Sequence, residues 1–237
     1  MDPDLASRIL HRVRFVVRLL LLLLLLCGAL VTSASYMPSP RTVEQFRSAV
    51  MAGDVDRVSY QIFGPDELAS LVWSESPLVW HEVRGRIADS EGLYTPERLM
   101  ADVRRASVRP SVVQHRGQEP AVNNSIFPDW PFKLPGGSNL WWVAAVWVAA
   151  FVAMLGSTPR LANRWAWFWL FTVGQVGALL FLIMEPRPLW KGPGPAEGLT
   201  PTERLEGGRG CLYSILLGFV SVTVALGVGQ LVKLLLG

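Results

Sequence analysis

Apolar residues along this chain are bunched into four blocks, and between the first and second lies a stretch where they recur at helix or strand spacing instead. The blocks run from Phe15 through the leucines at 19–26 to Val31, from Leu140 to Leu155, from Trp165 to Met184, and from Cys211 to Leu236. Each approaches the roughly 20 apolar residues that a helix needs to cross a hydrocarbon core. A backbone in lipid must satisfy its own hydrogen bonds, so all four are predicted to be helices, over 15–35, 139–156, 164–185 and 211–236. The tight linker at 156–163 predicts that the second and third are antiparallel neighbours.

Residues 38–116 carry the mixed pattern of a compact α+β domain. Thr42 and Gln45 have the spacing of a capping box, opening a helix in which Val43, Phe46, Ala49 and Val50 share a face and which Gly53 ends. Val55, Val58, Tyr60 and Ile62 predict a strand, 64–66 a turn, and 68–73 and 78–84 two more strands. Thr95 caps a second helix with Pro96 at its first position, and Leu99, Met100, Val103 and Ala106 line its buried side. Arg109-Pro110 ends that helix, and 111–115 form a last strand. The predicted order is helix, strand, strand, strand, helix, strand. Residues 117–138 are too dense in proline and glycine for either element and predict a linker; its Phe127, Trp130 and Phe132 are placed to lie at the headgroup level.

The stretch 41–61, RTVEQFRSAVMAGDVDRVSYQ, resembles the opening of the small extracytoplasmic domain of FtsH-type membrane proteases, with Phe46, Gly53, Val55 and Val58 at the matching positions. The resemblance implies a similar domain here. It does not imply the enzyme, because those proteases carry a phosphate loop and a His-Glu-x-x-His zinc motif, and this sequence has neither. Residues 163–190 are also similar to a span that recurs in bacterial multi-pass membrane proteins, which implies no activity.

Composition sharpens the class. Mean hydropathy is positive, at +0.32, with half the residues hydrophobic, which predicts an integral membrane protein. The arginine-rich balance, 19 Arg within 22 basic residues, fits a GC-rich bacterial source of actinobacterial type. Net charge is +3, but the basic residues are scattered and flank apolar runs, so nucleic acid is not expected as a partner. Arg8, Arg12 and Arg14 before the first block mark a signal peptide or an uncleaved signal anchor; the length of the block favours the anchor, although Ser33-Ala34-Ser35 would suit a signal peptidase. The basic start sets the N-terminus inside, giving a multi-pass protein of the cell membrane with 1–14 cytoplasmic, 36–138 and 186–210 extracytoplasmic, and the C-terminus inside. Arg187, Lys191, Arg204 and Arg209 in that last loop run against the positive-inside rule.

No reaction chemistry assembles from these residues. His11, His81 and His115 are isolated, and His81 and its neighbour Glu82 point to opposite faces of a strand. No catalytic, cofactor-binding or metal-ligating residue is predicted, and Cys27 and Cys211 predict no disulfide framework. The spans are read as free of buried ionisable groups, with Gln175, Gln230, Thr172, Ser221 and Thr223 forming interhelical hydrogen bonds and Glu185 meeting Arg187 or a headgroup. Small residues at 145, 149 and 153, and at 214, 218, 221, 225 and 229, are predicted to let helices approach closely. The expected function is that of a non-enzymatic membrane protein, surrounded by lipid, whose outer domain binds another membrane or envelope protein. The alternative is an accessory subunit of a transporter or channel.

Overall fold

The computed structural model describes residues 3–63, 67–83, 87–90, 92–115, 141–173, 176–193 and 205–236. The predicted turn at 64–66, the linker at 117–138, Gln175, and 194–204 of the last loop lie outside the described residues. The chain divides into two compact units, one built mainly from Met1–Ala29 and Leu140–Val224, the other mainly from Leu30–Ser125 and Ala225–Gly237.

The second unit contains the α+β fold. Helix α1 (Pro3–Ser35) ends there and leads into strand β1 (Ser39–Arg41). Thr42 then caps α2 (Val43–Ala52): its side chain accepts from the Gln45 amide at 3.3 Å while the Gln45 side chain accepts from the Thr42 amide at 3.0 Å. Gly53 ends α2 at φ 85°, a left-handed conformation that glycine adopts without a Cβ clash. Strands β2 (Arg57–Phe63), β3 (Glu67–Ser76) and β4 (Val79–Val83) follow, then a two-stranded ribbon of β5 (Ala88–Asp89) and β6 (Gly92–Leu93), helix α3 (Pro96–Arg105) and β7 (Ser111–His115). The sheet order is β1-β4-β3-β2-β7, parallel at both ends and antiparallel within. Alternation places Val58, Tyr60, Leu71 and Trp73 on the face that α2 and α3 cover with Phe46, Val50, Leu99 and Val103.

The order read from the sequence is therefore present with additions. β1 and the β5–β6 ribbon are too short to leave a periodic pattern, and exist because neighbouring backbone pairs with them. At the far end of the chain, α7 (Gly207–Leu236) contributes its C-terminal part to this unit. A Cβ on Gly229 would collide with the carbonyl oxygen of Ser33 and approach Met37, so the last turns of α1 and α7 lie side by side.

In the first unit, Gly28 of α1 abuts Val143 near the start of α4 (Trp141–Gly156), where a Cβ would collide with the valine side chain. The packed face of α4 is Val143, Val146, Ala150 and Met154, all buried. Ala145, Ala149 and Ala153 are exposed, so that small-residue row does not mediate packing in this fold. The row on α7 does: Ser214, Gly218, Ala225 and Gly229 are buried, with Ser221 partly so.

The third predicted span is not one helix. It divides into α5 (Arg164–Thr172) and α6 (Gly177–Met184), and the two lie alongside each other. Trp167 and Phe181 meet edge to face with centroids 5.4 Å apart, and Phe171 and Phe181 lie 6.0 Å apart. In a continuous helix, residues 167 and 181 would be separated by about 21 Å. Gly177 sits against the backbone of Leu170 and Phe171, where any Cβ would collide, so glycine is what permits the two backbones to close on each other. Each helix is about 12–14 Å long, half of a hydrocarbon core. Among the described residues two helices, within Ala6–Ser35 and Gly207–Leu236, are long and apolar enough to cross a membrane, and Trp142–Gly156 is a shorter apolar helix.

Candidate functional site

Three polar clusters stand out against this frame. The first closes the mouth of the α5–α6 hairpin. Asn163 caps α5 by accepting from the Ala166 amide at 2.7 Å, which fixes the chain entering the hairpin. At its exit Glu185 is buried, and its Oε1 accepts from the backbone amides of Arg160 at 2.7 Å and Leu161 at 2.6 Å. The Arg160 guanidinium is 3.7 Å from Oε2. Arg18 of α1 donates from Nε to the carbonyl of Leu182, and from a terminal nitrogen to the carbonyl of Arg187 at 2.6 Å. Leu205, just ahead of α7, accepts from the Asn163 amide at 3.0 Å, which brings the start of α7 to the same place.

This cluster overturns two expectations. Glu185 meets the linker that precedes α5, not only groups at its own end, because the hairpin returns the chain to where it entered. Arg18, inside the first predicted span, is an ionisable group with protein partners, so the spans are not free of them. The span hydroxyls also differ from expectation. Thr172, Ser221 and Thr223 donate to carbonyls of their own helix, at Phe168, Gly218 and Phe219, and not across to another. A hydroxyl three or four residues along a helix from a free carbonyl lone pair finds it first. Gln230 donates to the Met37 sulfur at 3.3 Å.

The second cluster ties α2, α3 and the ribbon together. Asp102 accepts from Arg47 Nε and from the Tyr94 hydroxyl, each at 2.7 Å, while the Asp89 carboxylate lies 3.0 Å from Arg47 and 3.3 Å from Arg98. The Arg47 guanidinium also sits over the Tyr94 ring. Hydrogen bonding to Asp102 raises the Arg47 pKa further, and burial, reinforced by Asp102, raises that of Tyr94, so both keep their protons. Charge is matched two against two, which is the arrangement of a structural joint. Asp102 was legible only in retrospect: it occupies the buried side of α3 between Leu99 and Val103.

The third cluster surrounds His81. Its side chain is 2% exposed and faces Trp73, its register partner on β3, at 5.3 Å between ring centroids. Its Nε2 lies 3.4 Å from Oε1 of Glu75, which also accepts from Trp73 Nε1 at 3.3 Å. The partner is thus a residue across the strand pair, which neighbour-by-neighbour reading of His81 and Glu82 does not reveal. Burial lowers the His81 pKa, with Glu75 opposing and Arg41 reinforcing the shift. His11 lies on the partly buried side of α1, and the His115 side chain lies outside what is described.

No known protein-family model matches the chain, and no curated protein or solved structure does either. Among the described residues no three His, Cys, Asp or Glu side chains come together as metal ligands, and Cys27 and Cys211 are free thiols.

Proposed function

We propose that this chain is a multi-pass protein of the cell membrane that acts without catalysis, presenting its α+β unit outside the cell to dock another envelope protein. The observation that carries the reading is α1, one unbroken helix of 33 residues that begins among Arg8, Arg12 and Arg14, continues through the leucine block and leads straight into the first strand of the folded unit. Its Ser33-Ala34-Ser35 segment is helical and buried, unlike the extended chain a signal peptidase cleaves, which supports an uncleaved anchor. The helix–Gly53–strand unit in the outer domain is the part that resembles FtsH-type extracytoplasmic domains.

The membrane arrangement we infer differs from the four-span reading. α1, α4 and α7 cross, while α5 and α6 form a re-entrant hairpin that enters and leaves on the side of Arg18. Backbone that turns within a bilayer is tolerated where protein encloses it, and here Trp147 and Phe151 of α4 pack on Phe171. This arrangement gathers Arg8, Arg12, Arg14, Arg160, Arg164, Arg187, Lys191 and Arg209 on one side, which satisfies the positive-inside rule that the four-span reading broke. It also puts the end of α7 outside, beside Ser33, where the four-span reading put it inside.

A photo-crosslinking residue at exposed Val108 of the outer domain is expected to capture a discrete protein in intact cells, whereas the same residue at exposed Leu216 of α7 captures lipid. Capture of no protein at Val108 counts against the docking role. A second reading, an accessory subunit of a transporter or channel, is favoured by the hairpin, and predicts protein capture from the exposed face of α4 at Ala149 instead.

A further inference from the structure

The His81 cluster lies where the outer unit is tied to its helical stem. β1 is three residues long, follows α1 after Tyr36, Met37 and Pro38, and is held in the sheet by its parallel pairing with β4, in which Ser39 is opposite His81. With Nε2 facing Glu75, the neutral imidazole carries its proton there and leaves Nδ1 as a bare lone pair. Nδ1 is buried and meets no hydrogen-bonding group among the described residues. The neutral ring is therefore well placed, and the charged ring is not. Protonation would put an N–H in the sheet interior with no acceptor, and a buried donor without a partner is unfavourable, the more so when charged.

We propose that His81 is an acid-sensitive latch: its protonation releases β1 from β4 and loosens the outer unit at its junction with α1. The groups near the ring come from β1, β3, β4 and α2, and Lys233 of α7 lines a small cavity with Ser39 and Trp80 on the neighbouring strands. Glu75 on β3 is a third exposed and can accept only one of the two N–H groups of the charged ring. Arg41 at the end of β1 repels that charge. Glu82, the next residue on β4, points to the opposite face, and Glu44 of α2 is exposed while the same helix turns Phe46 toward Trp73. The neutral form is stable above the ordinary histidine value, near pH 6.5. As pH falls below that value the open form binds the proton more readily than the closed form, so closure weakens until the lowered pKa of the closed form is reached. The latch works from contacts within the α+β unit and does not depend on which side of the membrane that unit faces.

Hydrogen exchange on the full-length protein in nanodiscs tests this. After correction for intrinsic rates, the amides of Ser39 and Arg41 are expected to lose protection about tenfold for each pH unit of separation between open and closed values, as pH falls from 7.5 to 5. Amides of α2, held by its own capping box, should keep theirs. In His81→Gln the loss should vanish, and in Glu75→Gln it should deepen, because the closed form loses the one carboxylate that tolerates the charge. A pH-independent wild-type protein would overturn the proposal, as would a His81→Gln variant that still opens in acid.

Discussion

Glu185 is an acid placed at the end of an apolar run, where the sequence allows either a surface carboxylate meeting headgroups or an interior one meeting protein. The structure selects the second, with two backbone amides on one oxygen and a guanidinium near the other. Removing one member of a buried charged set leaves the others without compensation, typically at about 3–5 kcal/mol. Glu185→Ala is thus expected to destabilise the detergent-solubilised protein by about 3 kcal/mol, while Glu185→Gln, which keeps an acceptor oxygen, costs less. Thermal unfolding followed by tryptophan fluorescence checks this; equal midpoints for wild type and Glu185→Ala would show that the carboxylate closes nothing. The partner of Glu185 lies 25 residues away in sequence, and the partner of Arg18 more than 160, so neither could be read from local spacing. Thr42, Gln45, Gly53, Thr95 and Pro96 were legible because capping is a local transaction between neighbouring residues.

Elements divide in the same way. α2, α3, β2, β3, β4 and β7 follow from periodicity, since each is long enough to show it. β1 contains Pro40 and has only three residues, and its strand conformation comes from β4, not from its own sequence. The α5–α6 hairpin was hidden for another reason: an unbroken apolar run has no polar face to mark where a helix ends. Gly177 is the signal that could have divided it, though glycine is also common inside spans. The hairpin makes a direct prediction. With Cys27 and Cys211 replaced by alanine, cysteines at Trp167 and Phe181 should be joined by a short bifunctional thiol reagent. Adding Gly177→Leu, which places a side chain against the Leu170 carbonyl, should cut that yield severalfold. Failure of the parent pair to join would restore a single helix over 164–185.

At the scale of the whole molecule, the reversal of one short segment resets the sides of everything after it. If α5 and α6 return the chain to where it entered, the loop beyond Glu185 belongs with the basic N-terminal flank, and α7 becomes parallel to α1. The conflict between charge and topology, plain in the sequence at Arg187, Lys191 and Arg209, is then a consequence of counting a hairpin as a crossing. Labelling of single cysteines in intact cells by a membrane-impermeant thiol reagent decides the matter, again without the native Cys27 and Cys211. A cysteine at exposed Ser90 should react from outside and one at Thr158 only after the cells are opened; the deciding position is Lys191. The account predicts that a cysteine there behaves like the one at Thr158, and labelling of Lys191→Cys from outside would contradict it.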